Sequence, residues 1–167
     1  MTSVESVKNF WEENPLWTGE ADFKEGTFDF FEEHRSVYYK DCIAGPFDLR
    51  FLPPPRKNGQ NLKILDLGCG IGFWTTEFGM RGYSNLHAAD LTQKALEITA
   101  KRLRLYGLKA ELSEQDAEGT TFDESSFDHI NCQGVIHHTP DTDATVVEIA
   151  RILKPGGIIT SKIDYSD

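Results

Sequence analysis

The sequence predicts an α/β fold with a doubly wound, mainly parallel sheet. Two observations predict it: short apolar segments alternate with helical patterns after about residue 60, and a glycine-rich turn joins the first such segment to the first helix. Alternation of this kind is typical of parallel sheets that carry helices on both faces. We therefore expect residues 60–167 to form the core and residues 1–59, which are aromatic and acidic, to form a separate helical segment.

The N-terminal segment is expected to contain two helices. Apolar residues at helical spacing indicate a first helix from about Ser3 to Asn14, with Thr2 and Glu5 as a capping box. A second helix is predicted from Phe28 to Tyr39, with Thr27 as its N-cap.

The core is expected to contain five strands that alternate with helices. The strands are predicted at residues 62–67, 86–89, 109–112, 127–134 and 158–163, and the helices at residues 72–80, 93–106 and before residue 153. Thr92 and Gly107 are expected at the two ends of the second of these helices, and Lys154–Gly157 is expected to form a turn. Prolines between residues 46 and 55, followed by the run 57–61, indicate a linker between the N-terminal segment and the core.

Composition excludes several classes of function. The 167 residues include 17 Lys and Arg against 27 Asp and Glu, a formal charge of −10, which argues against a nucleic-acid partner. No apolar run approaches the roughly 18 residues that a membrane span requires, and no basic and apolar leader opens the chain. The three cysteines form no disulfide or zinc pattern, so we expect a cytoplasmic protein without a bound metal.

The glycine turn is the first candidate binding element. Gly68–Gly72 has the spacing G-x-G-x-G, and Asp66 stands two residues before it. A dinucleotide site would require a third glycine where Phe73 stands. The turn therefore indicates a ligand with an amino-acid part and a nucleoside part, with no pyrophosphate.

Acidic residues follow the next two predicted strands. Asp90 could accept hydrogen bonds from both ribose hydroxyls, or it could cap the following helix, a place that Thr92 already fills. Asp116 could accept the amino group of adenine while Gln115 or Ala117 offers a backbone N–H to the ring, or it could be a solvated loop acid. The carboxyl ends of neighbouring parallel strands meet at one edge, where open α/β sheets bind ligands.

Together these motifs resemble a class I S-adenosylmethionine-dependent methyltransferase, more narrowly the small-molecule "type 11" or ubiquinone-biosynthesis-like domain. The resemblance covers about residues 60–163 and is carried by Leu65–Gly72, Asp90, Asp116-Ala117, Gln133–Asp141 and Leu153–Gly157. It implies a Rossmann-like sheet in which strands 3-2-1-4-5 are present, and S-adenosyl-L-methionine as the cofactor.

The resemblance also implies which residues bind this cofactor. The turn would hold the methionine part, Asp90 the ribose and Asp116-Ala117 the adenine; Gln133 and Gly134 would lie beside the sulfonium. The full set comprises Asp66, Gly68, Cys69, Gly70, Gly72, Asp90, Leu91, Asp116, Ala117, Gln133 and Gly134.

Two histidines and several aromatic residues are candidates for handling the acceptor. His137 and His138 follow the fourth strand, where one could act as a general base or both could simply shape the loop. The aromatic residues of the N-terminal segment could form an acceptor lid over the cofactor, or could pack against the sheet, which is favoured for Phe30: they are Trp11, Trp17, Phe30, Phe31, Tyr38 and Tyr39.

The expected function is methyl transfer from S-adenosylmethionine to an oxygen, nitrogen or carbon of a small-molecule acceptor. A methyltransferase-like domain that binds the cofactor without turnover is the alternative. An NAD-dependent oxidoreductase is a third possibility, which Phe73 and Asp116-Ala117 argue against.

The resemblance finally implies a family sheet in the order 3-2-1-4-5-7-6. Only Asp164–Asp167 follow the fifth predicted strand, so we expect a chain truncated before the last two strands. The fifth strand would then be an exposed apolar edge, through which the chain could self-associate.

Overall fold

The computed structural model describes residues 3–43, 52–53 and 61–162, in which helices and strands alternate as the sequence predicts. The α-helices are α1 (Val4–Glu13), α2 (Phe28–Val37), α3 (Phe73–Met80), α4 (Gln93–Leu105) and α5 (Thr142–Ile152). The strands are β1 (Ile64–Leu67), β2 (Leu86–Asp90), β3 (Glu111–Glu114), β4 (Phe127–Gln133) and β5 (Leu153–Lys162). A π-helical turn (Tyr38–Cys42) extends α2, and a 3-10 turn (Ile136–His138) precedes α5.

The five strands form one parallel sheet in the order β3-β2-β1-β4-β5. The predicted fold class and strand order are therefore confirmed. In the register of the sheet, Asp90 pairs with Glu114 and Gln133 pairs with Lys162, so all these residues reach the same carboxyl edge.

Strand β3 begins two residues later than predicted. The N–H of Leu108 donates to the carbonyl oxygen of Leu103 at 2.8 Å, and the N–H of Gly107 donates to that of Arg104 at 3.2 Å. These bonds satisfy carbonyl groups of the last turn of α4, as is usual where a glycine in the left-handed conformation follows a helix. The chain becomes extended only after them. Gly107 thus has the predicted capping position, with φ of 66°.

The predicted turn at Lys154–Gly157 lies inside β5 as an irregularity in its pairing. Phe127 pairs with Leu153 and His129 with Ile158, so four residues of β5 oppose Asp128 alone. The Lys154 ammonium lies 2.8 Å from Oδ2 of Asp128 and holds this bulge against β4.

The helix caps of the N-terminal segment differ from prediction in one case. Ser3 caps α1 in a reciprocal arrangement with Ser6, where a capping box of Thr2 and Glu5 was expected. Ser3 and Ser6 stand three residues apart, so the hydroxyl of each reaches the backbone N–H of the other. Thr27 caps α2 as predicted.

Some expectations lie outside the described residues. These are Thr2, the prolines other than Pro53 in residues 46–55, most of the linker at 57–61, Ile163 at the end of the predicted fifth strand, and the tail after it. Within the described ranges, no helix combines the length and the apolar character that a membrane crossing requires.

Buried Glu77 joins the N-terminal segment to the core. Its carboxylate accepts hydrogen bonds from Nε of Arg35 at 2.7 Å and from Oη of Tyr39 at 2.6 Å, and it pairs with Arg81. Burial alone would raise the pKa of Glu77, but the bonds from Tyr39, Arg35 and Arg81 outweigh it, and the pKa lies below its usual value. The ion pair and hydrogen bonds thus stabilise α2 on α3.

We predict that Glu77→Gln lowers the free energy of unfolding by about 3 kcal/mol, the low end for a broken buried ion pair, because the side chains of Arg35 and Arg81 keep some contact with water. A folded-state pKa below the unfolded value stabilises the fold above about pH 4.5. The difference from wild type should therefore be complete at neutral pH and shrink as the pH falls through the folded-state pKa. Urea unfolding at several pH values measures it.

The matched control is Glu97→Gln, which removes the same charge from an exposed position of α4. It should change the unfolding free energy by less than about 0.5 kcal/mol. Equal effects of the two substitutions would contradict the role given to Glu77.

Candidate active site

The glycine turn between β1 and α3 leaves no room for side chains. Gly68 and Gly70 have φ angles of 72° and 52°, in the left-handed region that favours glycine. A Cβ atom on Gly68 would lie 2.2 Å from Cγ2 of Val135, and one on Gly70 would lie 3.0 Å from Cδ1 of Leu16. Val135 and Leu16 therefore pack directly on the backbone of these two glycines, and both glycines line the cavity at the carboxyl edge of the sheet.

Asp66 supports this turn from inside the protein. Its Oδ2 accepts hydrogen bonds from the Thr75 N–H at 2.9 Å and the Thr75 hydroxyl at 2.6 Å, and its Oδ1 accepts one from Nδ2 of Asn131 at 2.9 Å. Burial raises the pKa of Asp66 to about 6, although the bonds from Thr75 and Asn131 oppose that rise. The carboxylate thus ties β1 to α3 and β4.

Asp90 at the end of β2 connects the glycine turn to α4. Its Oδ2 accepts the Gly70 N–H at 2.9 Å, and its Oδ1 accepts the Thr92 N–H at 3.0 Å and the Thr92 hydroxyl at 2.9 Å. Thr92 is the N-cap residue of α4, as expected, but its side chain bonds to Asp90 and makes no hydrogen bond to the helix. Burial raises the pKa of Asp90, and the backbone donors oppose the rise. Since a carboxylate has about four acceptor positions, the protein itself occupies most of those on Asp90.

The segment after β3 supplies Gln115, Asp116 and Ala117. The Gln115 N–H donates to the Asp90 carbonyl oxygen at 2.8 Å and is therefore occupied. Of the two backbone N–H groups that the sequence suggests for binding the adenine ring, that of Ala117 remains. The Asp116 carboxylate accepts the N–H of Glu118 at 2.9 Å, which fixes the side chain at the loop.

These elements surround one cavity of about 320 Å³ at the carboxyl edge of the sheet. This volume lies within the range of roughly 300–1,000 Å³ that is usual for small-molecule sites. The predicted site residues that line it are Gly68, Gly70, Asp90, Leu91, Asp116, Ala117, Gln133, Gly134, His137 and His138.

Three predicted residues do not line this cavity. Asp66 lies behind the turn, and Gly72 forms the N-cap of α3. Cys69 directs its sulfur toward Oγ1 of Thr99 at 3.8 Å, and burial raises the pKa of its thiol. Burial also raises the pKa of Cys132 to about 12, so neither buried thiol is suited to act as a nucleophile.

The two histidines form the wall of the cavity beyond β4. Their ring centroids lie 4.1 Å apart, and the Trp11 ring approaches His138 edge-on at 5.5 Å. Nδ1 of His137 is buried and has no hydrogen-bond partner among the described residues.

Residues of the N-terminal segment line the side of the cavity away from the sheet. Trp17, Phe30 and Phe31 do not line the cavity, but Trp11 and Tyr38, two of the six aromatic candidates for a lid, are among its lining residues. Tyr39 is not: it donates its hydroxyl proton to Glu77 and belongs to the junction with α3.

The structure adds cavity residues that sequence reasoning missed. They include Leu16, Cys42, Thr139, Pro140 and Lys162. Lys162 could have been found by the rule that drew attention to Asp90 and Asp116, because it stands at the carboxyl end of a parallel strand. Leu16 carries no such signal, since only the path of the chain after Pro15 brings it to Gly70.

The fold and this site agree with a comparison against known families. Residues 64–157, more than half of the chain, match the family described as "Methyltransferase domain". The chain belongs to this methyltransferase family.

This chain matches only part of the length of each relative in the family. The ubiquinone biosynthesis O-methyltransferase of Azoarcus sp. is 35% identical over 101 residues, covering 58% of this chain and 42% of that protein. Phosphoethanolamine N-methyltransferase 2 of Caenorhabditis elegans is 33% identical over 131 residues, covering 70% of this chain and 30% of that protein. The chain spans about 30–50% of the length of the curated relatives it matches.

A solved structure supports the same assignment. The "SAM-dependent methyltransferases" protein from Methanosarcina mazei superposes with a TM-score of 0.57 at 31% identity, covering 61% of this chain and 52% of that one.

We predict that Gly68→Ala destabilises this methyltransferase domain more than Gly107→Ala. Both glycines have nearly the same positive φ, 72° and 66°, so alanine strains the backbone equally, by about 1–2 kcal/mol. Only at residue 68 does the new methyl group also meet a neighbour, Val135, which should add about 1–3 kcal/mol. Urea denaturation of the two variants measures the difference.

The double variant Gly68→Ala/Val135→Ala tests the cause. Removing the Cγ atoms of Val135 leaves its Cβ 3.3 Å from the added methyl group, so most of the excess destabilisation should disappear relative to Val135→Ala alone. Equal losses at residues 68 and 107, or no recovery, would show that close packing against Val135 does not require glycine here.

Proposed function

We propose that this domain transfers a methyl group from S-adenosylmethionine to a small-molecule acceptor. The observation that carries the proposal is the hydrogen bond from the Gly70 N–H to Asp90 at the cavity. It places a bare glycine turn beside a carboxylate, as a ligand with an amino-acid part and a ribose requires. The printed descriptions of the O- and N-methyltransferase relatives and of the "SAM-dependent" structural relative support the same activity.

The residues around the cavity suit this cofactor. We assign Gly68, Gly70, Gln133 and Gly134 to its methionine part, and Asp90 to the ribose. Asp116 and the Ala117 N–H would contact the adenine edge, while Leu91 packs on its face. Asp66, Cys69 and Gly72, which do not line the cavity, would act by holding the turn.

The bound cofactor supplies an electrophilic methyl group, so the protein must mainly align the acceptor and exclude water. We assign His137 and His138 to the acceptor side, where an imidazole could take the proton of a hydroxyl or ammonium group. Both histidines line the cavity next to Gln133 and Gly134, which supports this assignment.

We also propose that residues 1–59 act as a lid on a core formed by residues 60–167. Val4, Val7 and Trp11 of α1 line the cavity, and no residue of α1 is buried. Helix α1 is attached by polar contacts at its outer side: Lys8 pairs with Glu114, and Glu12 accepts the N–H of Lys94 at 3.3 Å. Such contacts are weak enough in water to open and close.

Three further properties belong to the proposal. The free cysteines are consistent with the reducing cytoplasm, and the charge of −10 with the absence of a nucleic-acid partner. Self-association through β5 is supported by its position at the edge of the described sheet and by Ile158 and Ile159, which are 38% and 40% exposed. Light scattering coupled to gel filtration would detect a dimer, and a monomer at every concentration would contradict it.

Calorimetric titration tests the cofactor assignment. S-adenosylmethionine and its demethylated product, S-adenosylhomocysteine, should bind, and NAD should not. Asp90→Asn should weaken binding by about tenfold or more, because hydrogen bonds from hydroxyls to a charged acceptor are lost. Asp123→Asn removes the same charge from an exposed loop and should bind like wild type.

The thermal midpoint of each ligand-free variant separates loss of binding from loss of folding, since Asp90 also holds Gly70 and Thr92. Binding of NAD alone, or unchanged affinity in a folded Asp90→Asn variant, would overturn the assignment. Cofactor binding without methyl transfer in an acceptor screen would favour the alternative of a binding domain without turnover.

A further inference from the structure

The charged groups around the cavity are divided between its two ends. Among the described residues that line it, the carboxylates are Asp90, Asp116 and Glu118, which follow β2 and β3. The basic groups are His137, His138 and Lys162, which belong to the end of β5 and the turn after β4. Because the sheet order is β3-β2-β1-β4-β5, the two sets lie on opposite sides of the glycine turn.

The acidic end is engaged with donors of the protein itself. Asp90 accepts the N–H groups of Gly70 and Thr92, and Asp116 accepts that of Glu118. Glu118 is the acid that reaches toward the histidine side, where Oε1 accepts the N–H of Asp141 at 2.8 Å. Each of these carboxylates therefore has backbone donors that offset its charge.

Lys162 stands beside the residues assigned to the reacting end of the cofactor. It is the register partner of Gln133, and its carbonyl oxygen accepts the N–H of Gly134 at 3.0 Å. The His137–His138 turn begins two residues after Gly134, so lysine and histidines border the same part of the cavity.

This concentration of basic groups stands out against the charge of the whole chain, which is −10. A cavity wall that combines a lysine with two imidazole rings can donate hydrogen bonds to a ligand oxygen. The side chains of Trp11, Leu16 and Tyr38 line the rest of this region and provide an apolar surface for the body of the ligand.

Resting on the proposed function, we infer that the methyl acceptor carries an anionic oxygen group, a carboxylate or a phosphate, that Lys162 and the His137–His138 pair bind at the β4–β5 end of the cavity. Lys162 is then a specificity-determining residue: it favours anionic acceptors over neutral ones of the same shape. The opposite charge of the cofactor's sulfonium adds to this preference.

The test uses the 167-residue chain, with and without S-adenosylhomocysteine, titrated with benzoate, phenyl phosphate and the neutral benzamide. Chemical-shift changes in the NMR spectrum give each dissociation constant. At least one anion should bind about tenfold or more tightly than benzamide, as expected for a charged hydrogen bond. The stronger of the two anions identifies the carboxylate or the phosphate as the group recognised.

Lys162→Met should remove this preference and leave benzamide binding unchanged, while Lys162→Arg should retain it. The matched control is Lys109→Met, which removes the same charge from an exposed position before β3, at the opposite edge of the sheet. Equal binding of anions and benzamide by wild type, or an unchanged preference in Lys162→Met, would overturn the inference.

Two outcomes separate this inference from the proposed function. If S-adenosylhomocysteine does not bind but the free chain still prefers anions through Lys162, the cofactor assignment fails and the anion site stands. If Lys162→Met weakens binding of S-adenosylhomocysteine and leaves the anion preference intact, the lysine binds the carboxylate of the cofactor and the inference is wrong.

Discussion

The buried carboxylate of Asp66 is the constraint on which the site depends. A carboxylate in the interior is costly unless its oxygens accept hydrogen bonds, and here Thr75 and Asn131 provide them from α3 and β4. These bonds fix the start of α3 relative to the two central strands, so they also fix the glycine turn between them. Oδ1 of Asn131 in turn accepts a hydrogen bond from Nε2 of Gln133 at 3.0 Å, which extends the network from the interior to the cavity wall.

The N-terminal segment is held on the core by two kinds of contact. Arg102 is completely buried among the rings of Phe31, Phe73 and Tyr106, and burial lowers its pKa to about 10. With the Glu77 ion pairs, this cluster fixes α2 firmly. Helix α1, by contrast, has no buried residue and meets the core through exposed polar groups and the edge-on contact of Trp11 with His138. The segment thus combines a fixed part with a part held by fewer buried contacts, which is consistent with the proposed lid.

The same fold supports methylation of different acceptors because the cofactor carries the reactive group and the protein varies the wall opposite it. The O- and N-methyltransferases related to this chain illustrate that range. In the present chain that wall combines aromatic residues of the N-terminal segment with basic residues from the ends of β4 and β5. On the proposed function, acceptor preference is a property of these few side chains, whereas the turn and the acids at the ends of β2 and β3 serve the cofactor.

The sequence by itself determined the alternation of strands and helices and placed most of the predicted site residues at the cavity, while its resemblance to a known family implied the strand order. It could do so because periodicity and the position of a residue after a strand are local features that parallel sheets bring to one edge. Other features of the site were fixed only by the tertiary structure. The Thr92 hydroxyl donates to Asp90, and the Gln115 N–H donates to the Asp90 carbonyl oxygen. Leu16 and Lys162 line the cavity. Each depends on which group lies within hydrogen-bond or packing distance in the folded chain, and sequence spacing alone does not contain that distance.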